Sequence, residues 1–334
     1  MATSLMGIEI GNTNIKIIEA VKRGATLMVK RFSLLQTPND CINNGVISNI
    51  DPIKKVIAEE LKVKRYKAKK VVVVVQSSNI IIRNVIMEKQ PEKIIKQLIE
   101  IKTEEFLPIE RGQYQIDFKI IGEVEEEGVV KNKLMLVAAP NAVVLPVASL
   151  MKSLRLIPLS ITIPSEALQS VFHSQTRMIY ETVGNVLVLD IGGKSTTATI
   201  ITGDEACLTR MIEFGVENLS EKVNEAQMSL AKADEEQDEY FARVIRPQIE
   251  YNIVSEVERI LQFYYSSYGN GVIKKIYLTG GGANIKGIRG YMRDALNIPT
   301  EKISHIDSIT EAPGVEFENY ARFFINSLGA INGL

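Results

Sequence analysis

The sequence predicts an α/β protein of two lobes in which one hairpin design is repeated. Three observations carry this. One hairpin design occurs in both halves of the chain, a run of five valines marks a strand buried on both faces, and a glycine-rich junction links a late strand to a helix. A chain of 334 residues is also long enough for two or more lobes.

The first hairpin reads Gly7-Ile8-Glu9-Ile10-Gly11-Asn12-Thr13-Asn14-Ile15-Lys16-Ile17-Ile18. The second reads Leu187-Val188-Leu189-Asp190-Ile191-Gly192-Gly193-Lys194-Ser195-Thr196-Thr197-Ala198-Thr199-Ile200-Ile201. Each is an apolar strand, an acid, a spacer, a glycine, a small polar turn and a second apolar strand. Glycines in such turns let backbone N–H groups approach an anion closely. The acid beside them repels phosphate, so it belongs there only if a divalent cation or a water lies between. Two such hairpins face to face would clamp a nucleotide's phosphates from both sides.

The intervening elements follow from local pattern. Residues 26–35 alternate as a third strand. Residues 51–61 have helical spacing, with Asp51 as N-cap and Pro52 at the first helical position. The basic run 62–70 reads as a solvated strand entry rather than a contact for membrane phosphate or nucleic acid, since only Tyr66 interleaves it. The valines at 71–75 then form a strand of a parallel sheet under helices. Residues 91–106 read as a helix opened by Pro91 and closed by Pro108. Strands at 114–123 and 133–139 are joined by the acidic turn Glu125-Glu126-Glu127-Gly128, and a helix spans 141–154. This helix–strand–strand–helix block carries no phosphate motif and reads as a small inserted subdomain suited to partner contacts.

Beyond the second hairpin, residues 217–268 read as helical and charge-rich. The acids at 234–239 form a solvated face or loop, not a metal site, because they lack a calcium loop's glycine turn and alternating ligand spacing. The strand at 275–279 runs into Gly280-Gly281-Gly282-Ala283-Asn284-Ile285-Lys286-Gly287 and another helix. Such a junction lets a base or pyrophosphate lie against bare backbone. Residues 320–334 form a helix that closes the first lobe.

Two familiar motifs are excluded. Gly192-Gly193-Lys194-Ser195 is not a P-loop, because that motif needs glycine at Val188 and a following helix, where this chain continues as a strand. The glycines at 280–282 are not the dinucleotide fingerprint, which needs glycine at Ile285. A net charge of −1 argues against a dedicated nucleic-acid binder. Cys41 and Cys207 give no disulfide framework and fit a reducing compartment. His173 and His305 form no cluster. Residues 1–7 are too short and too polar for a signal peptide, and no apolar run approaches the roughly 20 residues that span a bilayer. The expectation is a soluble cytoplasmic protein with no direct membrane span and no nucleic-acid partner.

The pattern Glu9-Ile10-Gly11…Lys16, Asp190-Ile191-Gly192-Gly193 and Gly280-Gly281-Gly282 resembles the actin-like nucleotide-binding superfamily of actin, heat-shock chaperones and sugar kinases. More narrowly, Gly7-Ile8-Glu9-Ile10-Gly11…Ile15-Lys16-Ile17-Ile18-Glu19, the inserted block and the helix with Glu256 and Phe263-Tyr264 are similar to the PilM family of type IV pilus assembly proteins. The resemblance covers nearly the whole chain. It implies an actin-like (ribonuclease-H-like) fold of two lobes with duplicated mixed sheets flanked by helices. Residues 1–86 and 318–334 would form subdomain 1A and 87–156 an inserted 1C-like unit. Residues 157–214 would form the linker and subdomain 2A, 215–272 subdomain 2B, and 273–317 the remainder of 2A.

The resemblance further implies ATP and Mg²⁺ in the cleft. Gly11, Asn12, Thr13 and Asn14 would hold the terminal phosphates with Lys16 as a point charge, and Gly192, Gly193, Lys194 and Ser195 would face them. Gly280, Gly281, Gly282 and Asn284 would underlie the adenosine, and Gly215 and Asn218 would reach the ribose. Asp190 and Glu9 would orient waters around Mg²⁺. The implied partners are the N-terminal cytoplasmic tail of a PilN-like membrane protein, the pilus motor ATPase and platform proteins, with possible self-association. The chain would be peripheral to the inner membrane through a partner. Two departures stand out. Glu9 replaces an aspartate, and Ile163, just before Pro164, occupies the place of the water-positioning acid or amide of hydrolysing relatives, with Glu166 a substitute three residues on. ATP binding with weak or absent hydrolysis follows. The alternatives are an FtsA-like division adaptor, which calls for a basic amphipathic C-terminal helix absent from 320–334, and a small-molecule kinase, which calls for a further catalytic acid between the lobes.

Overall fold

Apolar residues on both sides of β1 (Ser4–Ile10) leave all but its first residue buried, so it forms the centre of a sheet covered on both faces. The computed structural model describes residues 4–24, 26–110, 112–173, 178–179, 184–219, 241–269 and 271–334. From β1 the chain returns through β2 (Asn14–Arg23) and β3 (Thr26–Gln36), each antiparallel to the strand before. A short hairpin, β4 (Ile42–Asn43) and β5 (Val46–Ile47), precedes the helix Ile50–Val63. That helix crosses to β6 (Lys70–Val74), the valine strand, which lies parallel to β1 with Val74 level with Glu9. The helix is capped by Asn49, whose side chain accepts from Asp51 N at 3.3 Å, rather than by Asp51 as the sequence predicts. Asn49 can serve because its carbonyl reaches the amide two residues on, and Asp51 then places its charge in the positive first turn.

Between β6 and the next strand of the lobe, the chain makes a separate three-stranded antiparallel sheet. Its strands are β7 (Ile81–Glu88), β8 (Tyr114–Glu126) and β9 (Val129–Pro140), ordered β7-β9-β8. The helix Glu92–Ile101 packs Ile95 and Ile99 on Leu134 and Leu136 of β9. The expected helix to 106 is interrupted at Lys102, and Thr103–Phe106 forms its own turn. Sequence pattern missed β7, because exposed Arg83, Asn84 and Ile86 on this edge strand blur its alternation. The helix Asn141–Ser153 buries Val143, Val147, Leu150 and Met151 in the first lobe's core with Met6, Ile8, Val71 and Val73. The apolar face of this helix thus joins the first lobe's core, although the sequence reading counted the helix in an inserted block of 87 to 156.

β10 (Ile157–Thr162) returns parallel to β6. The second lobe then repeats the design with β11 (Asn185–Ile191), β12 (Thr196–Thr202), β13 (Glu205–Ile212), β14 (Ile273–Thr279) and β15 (Thr300–Lys302). Its order is β13-β12-β11-β14-β15; the first lobe's is β10-β6-β1-β2-β3, extended by β16 (Ile309–Glu311) beside β3. In both, two antiparallel pairings are followed by two parallel ones. The duplication seen in two hairpins thus extends to whole sheets.

The helix Ser255–Tyr268 and the π- and α-helical turns from Phe241 to Val254 bury Ile249, Ile253, Val257 and Tyr264 against the second sheet. The acidic run 234–239 lies outside the described residues. The lobes meet through the helices Pro164–Phe172 and Ile325–Asn332, whose Leu168, Val171, Phe172, Ile325 and Leu328 share a core with Ile18 of β2 and with Val186, Val188 and Tyr277 of the second sheet. The last of these helices packs on β1, β2 and β6 as well as on the helix Pro164–Phe172. Among the described residues no helix is long and apolar enough to cross a membrane.

Candidate functional site

The two hairpin turns are built alike. Gly11 N donates to Asn14 O at 3.0 Å, and Gly192 N to Ser195 O at 2.9 Å. Thr37 braces the first turn, its Oγ1 donating to Gly11 O at 2.7 Å. Val216 N and Glu217 N brace the second, donating to Gly192 O and Gly193 O at 3.0 and 2.7 Å. Because β1 and β11 are central strands of equivalent sheets, their carboxyl ends face each other across a cleft of about 830 Å³.

Glu9, Gly11, Asn12, Thr13, Asn14 and Lys16 line the cleft from the first lobe. Asp190, Gly192, Gly193, Lys194, Ser195, Asn218, Gly280 and Gly281 line it from the second. Three residues named from the sequence stand behind this surface. Gly215 backs the second turn against the Gly193 carbonyl, Gly282 packs on Ile191, and Asn284 is exposed in the turn that follows. The turns touch at Gly193, where a Cβ would fall 1.9 Å from Thr13 Oγ1. Gly280 has φ +78°, and a Cβ there would lie 2.4 Å from Asp190 Oδ1, so backbone passes close beside the carboxylate.

Glu9 and Lys16, adjacent across β1 and β2, form an ion pair of 2.6 Å that is almost fully buried. Burial pushes the Glu9 carboxyl up; Lys16 pulls it back and Asp190 adds to the rise, leaving it above the ordinary carboxylate value. Burial works against the Lys16 ammonium, but Glu9 and Asp190 together hold it above its usual value. Asn326, from the C-terminal helix, donates Nδ2 to Asp190 Oδ2 at 2.9 Å.

Three buried oxygens here have no partner among the described residues: Glu9 Oε2, Asn12 Oδ1 and Asn326 Oδ1. Buried acceptors in that state call for donors. A hydrated divalent cation supplies them through its waters, so the residues fit a Mg²⁺ held at one remove. Among the described residues no group of three or more His, Cys, Asp or Glu gathers as a metal cage. Two carboxylates suit an ion that enters with its phosphates.

Further cleft residues, among them Gln76, Glu217 and Phe323, escaped the sequence reading, as did Asn326 beside Asp190. Asn326 is a buried polar residue in a mostly apolar helix. Gln76 follows β6 and donates Nε2 to Thr197 Oγ1 on the other lobe. Glu217 accepts from Thr13 Oγ1 at 2.6 Å, also between lobes. Phe323 lines the cleft opposite Gly281. Glu217 lies between Gly215 and Asn218, which the sequence did name, and only the burial of a polar group within an apolar run could have flagged Asn326. Ile163 is buried at the start of the helix Pro164–Phe172. Glu166 is not a cleft residue: it accepts from Thr162 Oγ1 at 2.9 Å and lies 3.6 Å from Lys119 of the inserted unit.

Equivalent sheets with acid-bearing turns facing across a cleft define an actin-like fold. Over 100% of this chain and 99% of the other, the structure matches a solved PilM–PilN type IV pilus biogenesis complex with a TM-score of 0.80 and 21% identity. It also matches the ethanolamine utilization protein EutJ from Carboxydothermus hydrogenoformans, with a TM-score of 0.52 and 12% identity over 98% of this chain and 89% of that one. The family model for the type IV pilus assembly protein PilM matches residues 7–331, and the chain belongs to that family. It is an actin-like protein of type IV pilus assembly.

Proposed function

We propose that the protein binds ATP with Mg²⁺ between its lobes and, in that state, presents its inserted unit to the cytoplasmic tail of a PilN-like membrane protein. The carrying observation is the pair of matched turns, which meet at Gly193 and Thr13 with Glu9, Lys16 and Asp190 beneath them. In this reading the backbone amides of residues 11–14 and 192–195 hold the phosphates, Lys16 adds a point charge, and Glu9 and Asp190 orient waters on the ion. Adenosine lies against Gly280 and Gly281, with Phe323 alongside and Asn218 toward the ribose. The solved relative is a complex with PilN, which supports a partner of that kind. The sheet β7-β9-β8 takes the part of subdomain 1C. The tail holds the protein to the inner membrane, where motor and platform proteins meet it.

ATP shifts the lobes toward closure only by its differential affinity for the closed state. A fluorescence-anisotropy titration with the N-terminal tail peptide of the PilN-like protein, under Mg-ATP, Mg-ADP and no nucleotide, tests the reading. Saturable binding that tightens with Mg-ATP is expected. No binding in any condition, with nucleotide still bound, contradicts the partner assignment.

A further inference from the structure

We propose that Gln76 is the residue that orients an attacking water for hydrolysis of the terminal phosphate of ATP. The proposal rests on the reading of the cleft as an ATP site and adds an activity to it.

Strand order places Gln76 at the right end of the cleft. In the second lobe the glycine loop after β14, the Asp190 end of β11 and the start of β12 stand side by side in that order. A nucleotide whose base lies on Gly280 and Gly281 therefore runs its phosphates past Asp190 toward β12. Thr197 is the cross-strand partner of Asp190 on β12. Gln76 reaches Thr197 from the opposite lobe, and it follows a strand whose Val74 is level with Glu9. Its amide so occupies the terminal-phosphate end, beside both carboxylate-bearing strands.

The amide is also set for the task. Its Nε2 is committed to Thr197 Oγ1, which fixes the plane of the group, and no described side chain or backbone donor holds its Oε1. An amide oxygen fixed in this way accepts a hydrogen bond from water and points a lone pair of the water oxygen at phosphorus, the role a glutamine plays in other nucleotide hydrolases. No other side chain that the sequence offered for this role is in place. Ile163 is apolar and buried, and Glu166 is engaged with Thr162 and Lys119. Gln76 stands one strand away from Ile163, since Val75 N donates to Thr162 O at 2.9 Å.

The step balances without any further reactant. The water oxygen forms a bond to the terminal phosphorus as the bond from phosphorus to the bridging oxygen breaks. ADP leaves with the bridging oxygen, and the water's proton passes to a phosphoryl oxygen and on to solvent. Gln76 accepts a hydrogen bond and is not itself ionised, so it supplies orientation rather than a base, and turnover is slow.

The test is single-turnover phosphate release from Mg-ATP by the full chain, with nucleotide affinity measured in parallel. Wild type is compared with Gln76→Ala, Gln76→Glu and Thr197→Val. The expected result is slow release by wild type and a fall of about tenfold or more in Gln76→Ala, with affinity held within about threefold, the signature of a lost transition-state contact. Gln76→Glu, which adds an ionisable group, makes release depend on pH where wild type is flat, a change that a structural role does not produce. Thr197→Val, which frees the amide, lowers the rate less than Gln76→Ala. ATP bound without phosphate release by wild type, or an unchanged rate in Gln76→Ala, overturns the proposal while the ATP site stands. Failure of wild type to bind ATP overturns both.

Discussion

Lys16 stands between two buried carboxylates, and its removal exposes how much the pair matters. Lys16→Met leaves Glu9 buried with no counter-charge, a change that costs about 3 kcal/mol. The loss depends on pH in a definite sense. Without the ammonium, the Glu9 carboxyl rises further above its unfolded value, so the native state gains stability from its proton. That gain is complete below the ordinary carboxylate range and is lost as pH rises through the raised folded value. Thermal unfolding of Lys16→Met against wild type is therefore expected to show a larger gap at pH 8 than at pH 5; an equal gap at both would mean that Glu9 is not the group left behind. Residues of this kind stood out where a motif repeats: Glu9 and Asp190 occupy matching places in the twin hairpins, and Lys16 was singled out by the family resemblance. Asn326 and Gln76 were not, because each is one polar side chain whose meaning comes only from what the other lobe brings to it.

Elements were legible in proportion to their burial. The valine run of β6 and both hairpins declare themselves because covered strands need apolar residues on both faces. The edge strand β7, with Arg83 and Asn84 exposed, does not. Neither does β16, three residues long and held by its pairing with β3. The helix Asn141–Ser153 looked like part of the insertion because it follows β9 in sequence, yet its apolar face belongs to the first lobe. The helix Ile325–Asn332 shows a close contact that no periodicity reveals. A Cβ on its Gly329 would lie 2.1 Å from Ala167 O of the helix Pro164–Phe172. Backbone on both sides cannot yield as a side chain would, so Gly329→Leu is expected to cost about 3 kcal/mol by overpacking. Chemical denaturation checks this; a midpoint within error of wild type would show that the two helices are free to part.

At the scale of the whole molecule, two sheets of one topology are joined by two packed helices and bridged across the cleft by Gln76–Thr197, Thr13–Glu217 and Asn326–Asp190. Lys133 of β9 reaches Glu205 of β13 at 2.6 Å, which ties the inserted unit to the second lobe as well. A ligand that contacts both turns stabilises both lobes at once, by about 2.7 kcal/mol at a free concentration of about a hundred times Kd. The repeated hairpins announced two matching turns, and the family resemblance implied the duplicated sheets; the bridges were not readable, since each joins residues far apart in sequence. The central claim is that the facing turns form one Mg-ATP site shared by the lobes. Its most direct test is a calorimetric titration of the full chain with ATP, with and without Mg²⁺, beside Asp190→Ala. One-to-one binding that weakens at least about tenfold without Mg²⁺, and again in Asp190→Ala, is the result predicted. Binding indifferent to both changes, or no binding to a folded wild type, would contradict it.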